Sequence, residues 1–207
     1  AGGMAFRTGE FPTTIGAFQE NAPSGGSEDT DIAIIKYTPD GTGIVYATYL
    51  GGTLTDLPHS LIVNSQNQLI VMGSTSSDDF PMTSSAFDDS FNGGTIRSTL
   101  GLTFLDGSDM FLAVLSEDGS DLVGATYFGG SENDGLNPDN NSGSDLTFNY
   151  GDEFRGDMII DDADNIYICS VTQSSDFPTT TNAFQSGLSG DLDAIIAKFS
   201  PTTANLE

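Results

Sequence analysis

Residues Asp31–Gly52 read DIAIIKYTPDGTGIVYATYLGG, and residues Asp109–Gly130 read DMFLAVLSEDGSDLVGATYFGG. The second stretch starts 78 residues after the first and aligns with it without a gap; nine of the 22 paired positions are identical. They include Asp31/Asp109, Asp40/Asp118, Gly41/Gly119, Tyr49/Tyr127 and the closing Gly51-Gly52/Gly129-Gly130. A third start, DAIIAKFSP, occupies Asp193–Pro201. Each copy has an apolar run, an Asp-Gly turn, then a β-branched and aromatic run that leaves through Gly-Gly. That is the pattern of a β-hairpin. A hairpin that recurs implies a recurring structural unit.

Two further elements recur around it. Phe11–Phe18, Phe80–Phe87 and Phe177–Phe184 all obey F-P-x-[TS]-x-x-A-F. Proline fixes φ and removes a ladder donor, so this motif reads as a connecting segment, with its two Phe side chains anchoring it to the core. His59–Gly73 and Arg155–Ser170 each hold two short β-rich runs around a polar turn, Asn64–Gln68 or Asp161–Asn165. These form a second hairpin. Insertions at Asp88–Ser108 and at about Gly135–Tyr150 account for the uneven spacing, as expected where loops vary and strands do not.

Four consecutive antiparallel strands make a blade, and blades arranged radially make a β-propeller. The expected fold is therefore all-β, a β-propeller of four-stranded antiparallel blades, with about two full blades plus partial ones in a single segment, 1–207. The first blade and connector fall at 30–87, the second at 109–185, and the start of a third at 193–207. Stacked β-sandwich domains are the alternative, and would need Greek-key connections and a complete core in every unit. Two blades do not close a ring. The expectation is thus a piece of a longer propeller, or a protomer whose ring other chains complete.

The ordered series D-x-A-I-I-x-K-[YF]-x-P-D-G, V-Y-x-T-Y-L-G-G and [ST]-x-D-F-P-x-T-x-x-A-F resembles the bacterial SBBP repeat, a β-propeller repeat of secreted and surface proteins. The likeness covers most of the chain outside the two insertions. It implies a propeller blade and an extracellular or cell-surface setting in a bacterium. It implies little about ligands, because such repeats are defined by structural residues.

Charge narrows the partners. Thirty acidic residues stand against five basic ones (Arg7, Lys36, Arg97, Arg155, Lys198), a net charge of −25. Nucleic-acid binding requires clustered Lys and Arg, and so does binding to anionic lipid; neither is expected here. No run approaches the roughly 18 apolar residues of a membrane-spanning helix, so membrane insertion is not expected either. Cys169 is the single cysteine and lies in an apolar strand, where the expectation is a buried small hydrophobe.

Candidate chemistry concentrates in two acidic turns. Asp139, Asn141 and Asp145 place oxygen side chains at alternate positions of a Gly-containing loop, the donor type that calcium takes. Gly143 and Tyr150 depart from the EF-hand spacing. Asp161, Asp162 and Asp164 form a second candidate set, although the sister turn Asn64–Gln68 carries no acid. Ca2+ is therefore the one cofactor to consider. His59, the sole histidine, follows Asp56 by three residues as Arg155 follows Asp152, and reads as half of a structural ion pair. Acid pairs such as Asp78/Asp79, Asp88/Asp89 and Glu117/Asp118 are inevitable among so many carboxylates and identify no glycosidase. No phosphate loop, dinucleotide fingerprint or nucleophile elbow is present.

The expected function is a non-catalytic scaffold or binding module. Its partners would be other propeller blades or surface proteins, or a glycan, with the insertions as contact surfaces. An extracellular propeller enzyme acting on polysaccharide, and a purely structural spacer, are the alternatives.

Overall fold

The computed structural model describes residues 1–6, 11–23, 29–99, 101–137, 154, 156–203 and 205–207. Its regular elements are strands: β1 (Gly2–Phe6), β2 (Thr30–Tyr37), β3 (Ile44–Leu50), β4 (Asp56–Val63), β5 (Leu69–Thr75), β6 (Arg97–Thr99), β7 (Leu102–Phe104), β8 (Asp109–Leu115), β9 (Leu122–Phe128), β10 (Asp157–Ile160), β11 (Ile166–Thr172) and β12 (Asp193–Phe199). They pair antiparallel into a first sheet β1-β2-β3, a second sheet β4-β5-β8-β9, a third sheet β10-β11-β12 and a small ribbon β6-β7.

The all-β character and the hairpins match the sequence reading, but the grouping into 30–87 and 109–185 needs correction. β2-β3 and β4-β5 lie in different sheets, and the four-stranded sheet joins β4-β5 to the next hairpin, β8-β9. The connector is the physical reason. After β5 it runs along the outer edge of β9: the Ala125 N–H donates to Thr83 Oγ1, Asp88 N–H to Thr126 Oγ1, and Tyr127 N–H to the Asp88 carbonyl. This brings β8 beside β5. Residues Phe11–Gln19 follow β3 in the same way, through Thr14 N–H to the Ala47 carbonyl and Tyr49 N–H to the Gln19 carbonyl.

The sheets stack face to face. In β8, DMFLAVL, every residue is buried. Successive strand residues face opposite sides. Phe111, Ala113 and Leu115 join Val71 and Tyr127 against Ile32, Ile34, Tyr46 and Leu50 of the first sheet. Met110, Leu112 and Val114 join Ile70, Met72 and Phe128 against Met158, Ile166, Ile168, Ile195 and Phe199 of the third. Each such side chain contributes about 1.5–3 kcal/mol on burial. The third sheet repeats the register but is covered on one face: Ile196, equivalent to the buried Leu112 and Ile34, is 83% exposed. Cys169, equivalent to buried Met72, lies on this same face and is exposed, contrary to the expected burial. No neighbouring strand among the described residues covers that side.

The three hairpin turns are also equivalent. Thr38, Ser116 and Ser200 donate their N–H groups to the carbonyls of Gly43, Asp121 and Asn205. The left-handed position is Gly41 and Gly119 in the first two turns, but Thr203 (φ 60°) in the third. The insertion Asp88–Ser108 is packed rather than free. Leu102 and Phe104 of its ribbon are buried with Leu57 and Leu136, and the Thr103 carbonyl accepts a hydrogen bond from Thr55.

Candidate functional site

The polar residues that the repeats share converge where the chain leaves one sheet for the next. Gly51-Gly52 follows β3 and leads to Asp56; Gly129-Gly130 follows β9 and leads to Asp134. In the first copy the Gly52 N–H and Ser77 Oγ donate to Asp56 Oδ2, at 2.7 and 3.2 Å. In the second the Gly130 N–H and Ser174 Oγ donate to Asp134 Oδ2, at 2.7 and 2.8 Å. The acid of the S-x-D-F-P motif closes each step: Asp79 accepts from the Thr53 N–H and hydroxyl, Asp176 from those of Ser131. Tyr127 ties the second sheet to this network, accepting the Phe80 N–H and donating to the Ser77 carbonyl.

A second buried carboxyl meets each step from the first residue of the apolar strand. Asp31 and Asp56 are both buried, and both approach Gly51: a Cβ there would lie 2.9 Å from Asp31 Oδ1 and 2.5 Å from Asp56 Oδ2. Only glycine tolerates that approach. Asp109 and Asp134 crowd Gly129 in the same way. Asp109 Oδ2 accepts the N–H groups of Asn92 and Gly93, which come from the first insertion. Asp109 Oδ1 and Asp134 Oδ1 are buried and have no hydrogen-bond partner among the described residues.

Two carboxyls in one dry pocket do not both ionise cheaply. Burial first, and then the charge of Asp134, push Asp109 up to about 7. Burial likewise pushes Asp134 up to about 6, partly offset by hydrogen bonds from Thr172, Gly130 and Ser174. Burial raises Asp56 well above the usual carboxylate range, against hydrogen bonds from Thr75 and Gly52. At neutral pH a pair of this kind titrates as one unit and acts as a proton-holding hydrogen-bond hub.

The equivalence Asp56/Asp134 corrects the sequence alignment, which set Asp56 against Asp152. The second insertion begins directly after Asp134, whose isolated bridge to Thr172 matches the Asp56–Thr75 pairing at the start of β4. His59 is not half of an ion pair with Asp56. Both its ring nitrogens are buried without a hydrogen-bond partner among the described residues, and burial pulls it down to about 4. Asp152 and Arg155 lie outside the described residues.

Of the calcium candidates, Asp139, Asn141 and Asp145 also lie outside the described residues. Asp161, Asp162 and Asp164 sit in the β10-β11 turn. Asp161 caps it, accepting from the N–H groups of Ala163 and Asn165, the Asn165 amide and the Tyr167 hydroxyl. Asn64 does the same for Gln66 and Gln68 in the β4-β5 turn. Asp164 has φ 62° and accepts from the Ser65 N–H and hydroxyl across the sheet interface. Among the described residues, no group of three or more His, Cys, Asp or Glu side chains is placed to hold a metal ion. Sequence reasoning missed the Asp31–Asp56 and Asp109–Asp134 pairs; the signal was the identity of Asp31 and Asp109 at the head of each hairpin. No protein-family model matches the chain, and no curated protein matches it.

Proposed function

We propose that the chain is a β-propeller segment of the SBBP-repeat kind that serves as a scaffold or binding module on the outside of a bacterial cell, its partners being further blades, surface proteins or a glycan. One observation carries this reading. Three sheets stack through equivalent positions, so the same side chains that are buried at two interfaces form the open face of the third sheet. Stacking of this kind continues by adding sheets, and a radial arrangement is the way such a stack protects its edges. The shared polar residues are engaged in holding the sheet-to-sheet steps, which is what a scaffold asks of them.

The test is a screen of the purified chain on glycan arrays and against bacterial surface fractions, with parallel assays of a polysaccharide panel. Saturable capture without turnover is the expected result. Turnover that disappears in His59→Ala or in a paired-carboxylate variant would replace the scaffold reading with an enzymatic one.

A further inference from the structure

The first two sheets share an arrangement that the third leaves open. β3 lies between β2 and the connector Phe11–Gln19, and β9 lies between β8 and the connector Phe80–Asp88. In the third sheet the corresponding place, between β12 and the connector Phe177–Gln185, is a cavity of about 450 Å3. Phe177, Ile195 and Ala197 form its apolar floor, and Thr180, Phe184 and Gln185 line its rim. Leu206 and Glu207 close one end: Leu206 bridges Phe199, and the Glu207 N–H donates to the Lys198 carbonyl. From Asp193 to Ala197 the second edge of β12 has no strand partner among the described residues. Phe184 is fully exposed, whereas its counterparts are packed: Phe18 against the first core cluster, and Phe87 edge-on to Phe128 and Phe199.

We propose that this slot receives an extended β-strand from a partner, antiparallel to β12, with the side-chain chemistry that fills the other two slots. This is strand addition at a sheet edge, in which backbone hydrogen bonds supply affinity and alternate side chains supply specificity. The two resident strands define that chemistry as Ala-Thr-Tyr-[Leu/Phe]-Gly-Gly. Each position has a physical reason. The Ala47 carbonyl accepts the Thr14 N–H, and the Ala47 and Ala125 side chains are fully buried, so a larger residue there collides with the sheet. The Thr48 and Thr126 hydroxyls accept the N–H of Gln19 and Asp88. The tyrosine N–H donates to the carbonyl of that same connector residue. The Gln19 amide then grips both the N–H and the carbonyl of Gly51. Gln185 is the same residue type at the same connector position; its amide is turned back onto the Gly187 carbonyl, Ser189 and Asp193. It is poised to exchange those contacts for the glycine of an incoming strand. The inference rests on equivalence among the three sheets and does not depend on ring closure.

The probe is a fluorescein-labelled peptide with the sequence of Leu122–Gly130, LVGATYFGG, titrated with the full chain by fluorescence anisotropy. Saturable one-to-one binding is expected, with slowed amide exchange at Ile195–Ala197. Gln185→Ala, a surface change, is expected to weaken binding by about tenfold, the equivalent of 1.4 kcal/mol. A peptide with proline at the Ala125 position should lose binding because it cannot complete the ladder. Equal binding of a scrambled peptide, protection at another sheet, or no saturation by about 1 mM, a limit of about −4.1 kcal/mol, overturns the proposal. So does a stable dimer in sedimentation velocity that the peptide leaves intact, which would assign the slot to a second copy.

Discussion

The second and third sheets are built from equivalent strands and differ in what surrounds them. β8 reads DMFLAVL and is buried on both faces; β12 reads DAIIAKF and alternates, with Ile195 and Phe199 inward and Ile196 outward. A continuous apolar strand belongs between two layers, and an alternating one at a boundary. Here the distinction is only partial, since Ile196 keeps the residue type of an interior position while standing exposed. The difference teaches that position in the stack, rather than the repeat itself, decides whether a side chain is core.

The largest test of that contrast replaces one position in both sheets. Leu112→Ala should cost about 2–5 kcal/mol in urea or thermal unfolding, because a filled interface becomes a cavity. Ile196→Ala should stay within about 0.5 kcal/mol. Similar losses in the two variants would mean that the third sheet's outer face is covered in solution.

Next in size is the pH dependence of the carboxyl pair in the second sheet. Asp109 and Asp134 have folded values near 7 and 6, above the ordinary 3.8, so the folded state holds the extra proton. Their contribution is complete below about pH 4 and is lost as pH rises through 6 to 7. The charged groups that bear on the pair are Asp88 on the Asp109 side and Asp176 on the Asp134 side. His59 has the opposite sign: its depressed value, about 4, means that stability is lost as pH falls from about 6.5 toward 4. Asp109→Asn should therefore raise the melting temperature at pH 8 by several degrees, on the scale of about 1 kcal/mol. It should also flatten the decline between pH 5 and 8, because an amide donates to Asp134 without holding a charge. A decline unchanged in this variant would place the titration elsewhere.

The smallest effect is expected in the turns. Asp161→Asn should change stability by no more than about 0.5 kcal/mol, since asparagine offers the same acceptor that Asn64 provides in the sister turn. A calcium-dependent rise in melting temperature that vanishes in this variant would instead make Asp161 a ligand.

The hairpins were legible because turn chemistry and apolar periodicity are local; Asp40-Gly41 and Asp118-Gly119 mark two turns directly. The pairing of hairpins was not legible. β2-β3 and β8-β9 are nearly the same sequence, and only the docking of the connector on β9 decides which hairpin lies beside β5. Thr203 hid the third turn, because a β-branched residue rarely takes positive φ. The carboxyl pairs were half legible. Asp31 and Asp109 stood out by identity, but Asp134 was masked by the insertion that follows it, and burial is a tertiary property that no single stretch encodes.

The offset between sequence repeat and sheet has an evolutionary consequence. Because the second sheet takes β4-β5 from one repeat and β8-β9 from the next, the covalent chain crosses every sheet boundary inside a repeat. A duplication of one repeat, wherever its breakpoints fall in the connector, inserts two complementary half-sheets that complete each other's neighbours. The array lengthens by one whole layer without inventing a junction, and recombination needs no exact endpoint to yield a foldable product.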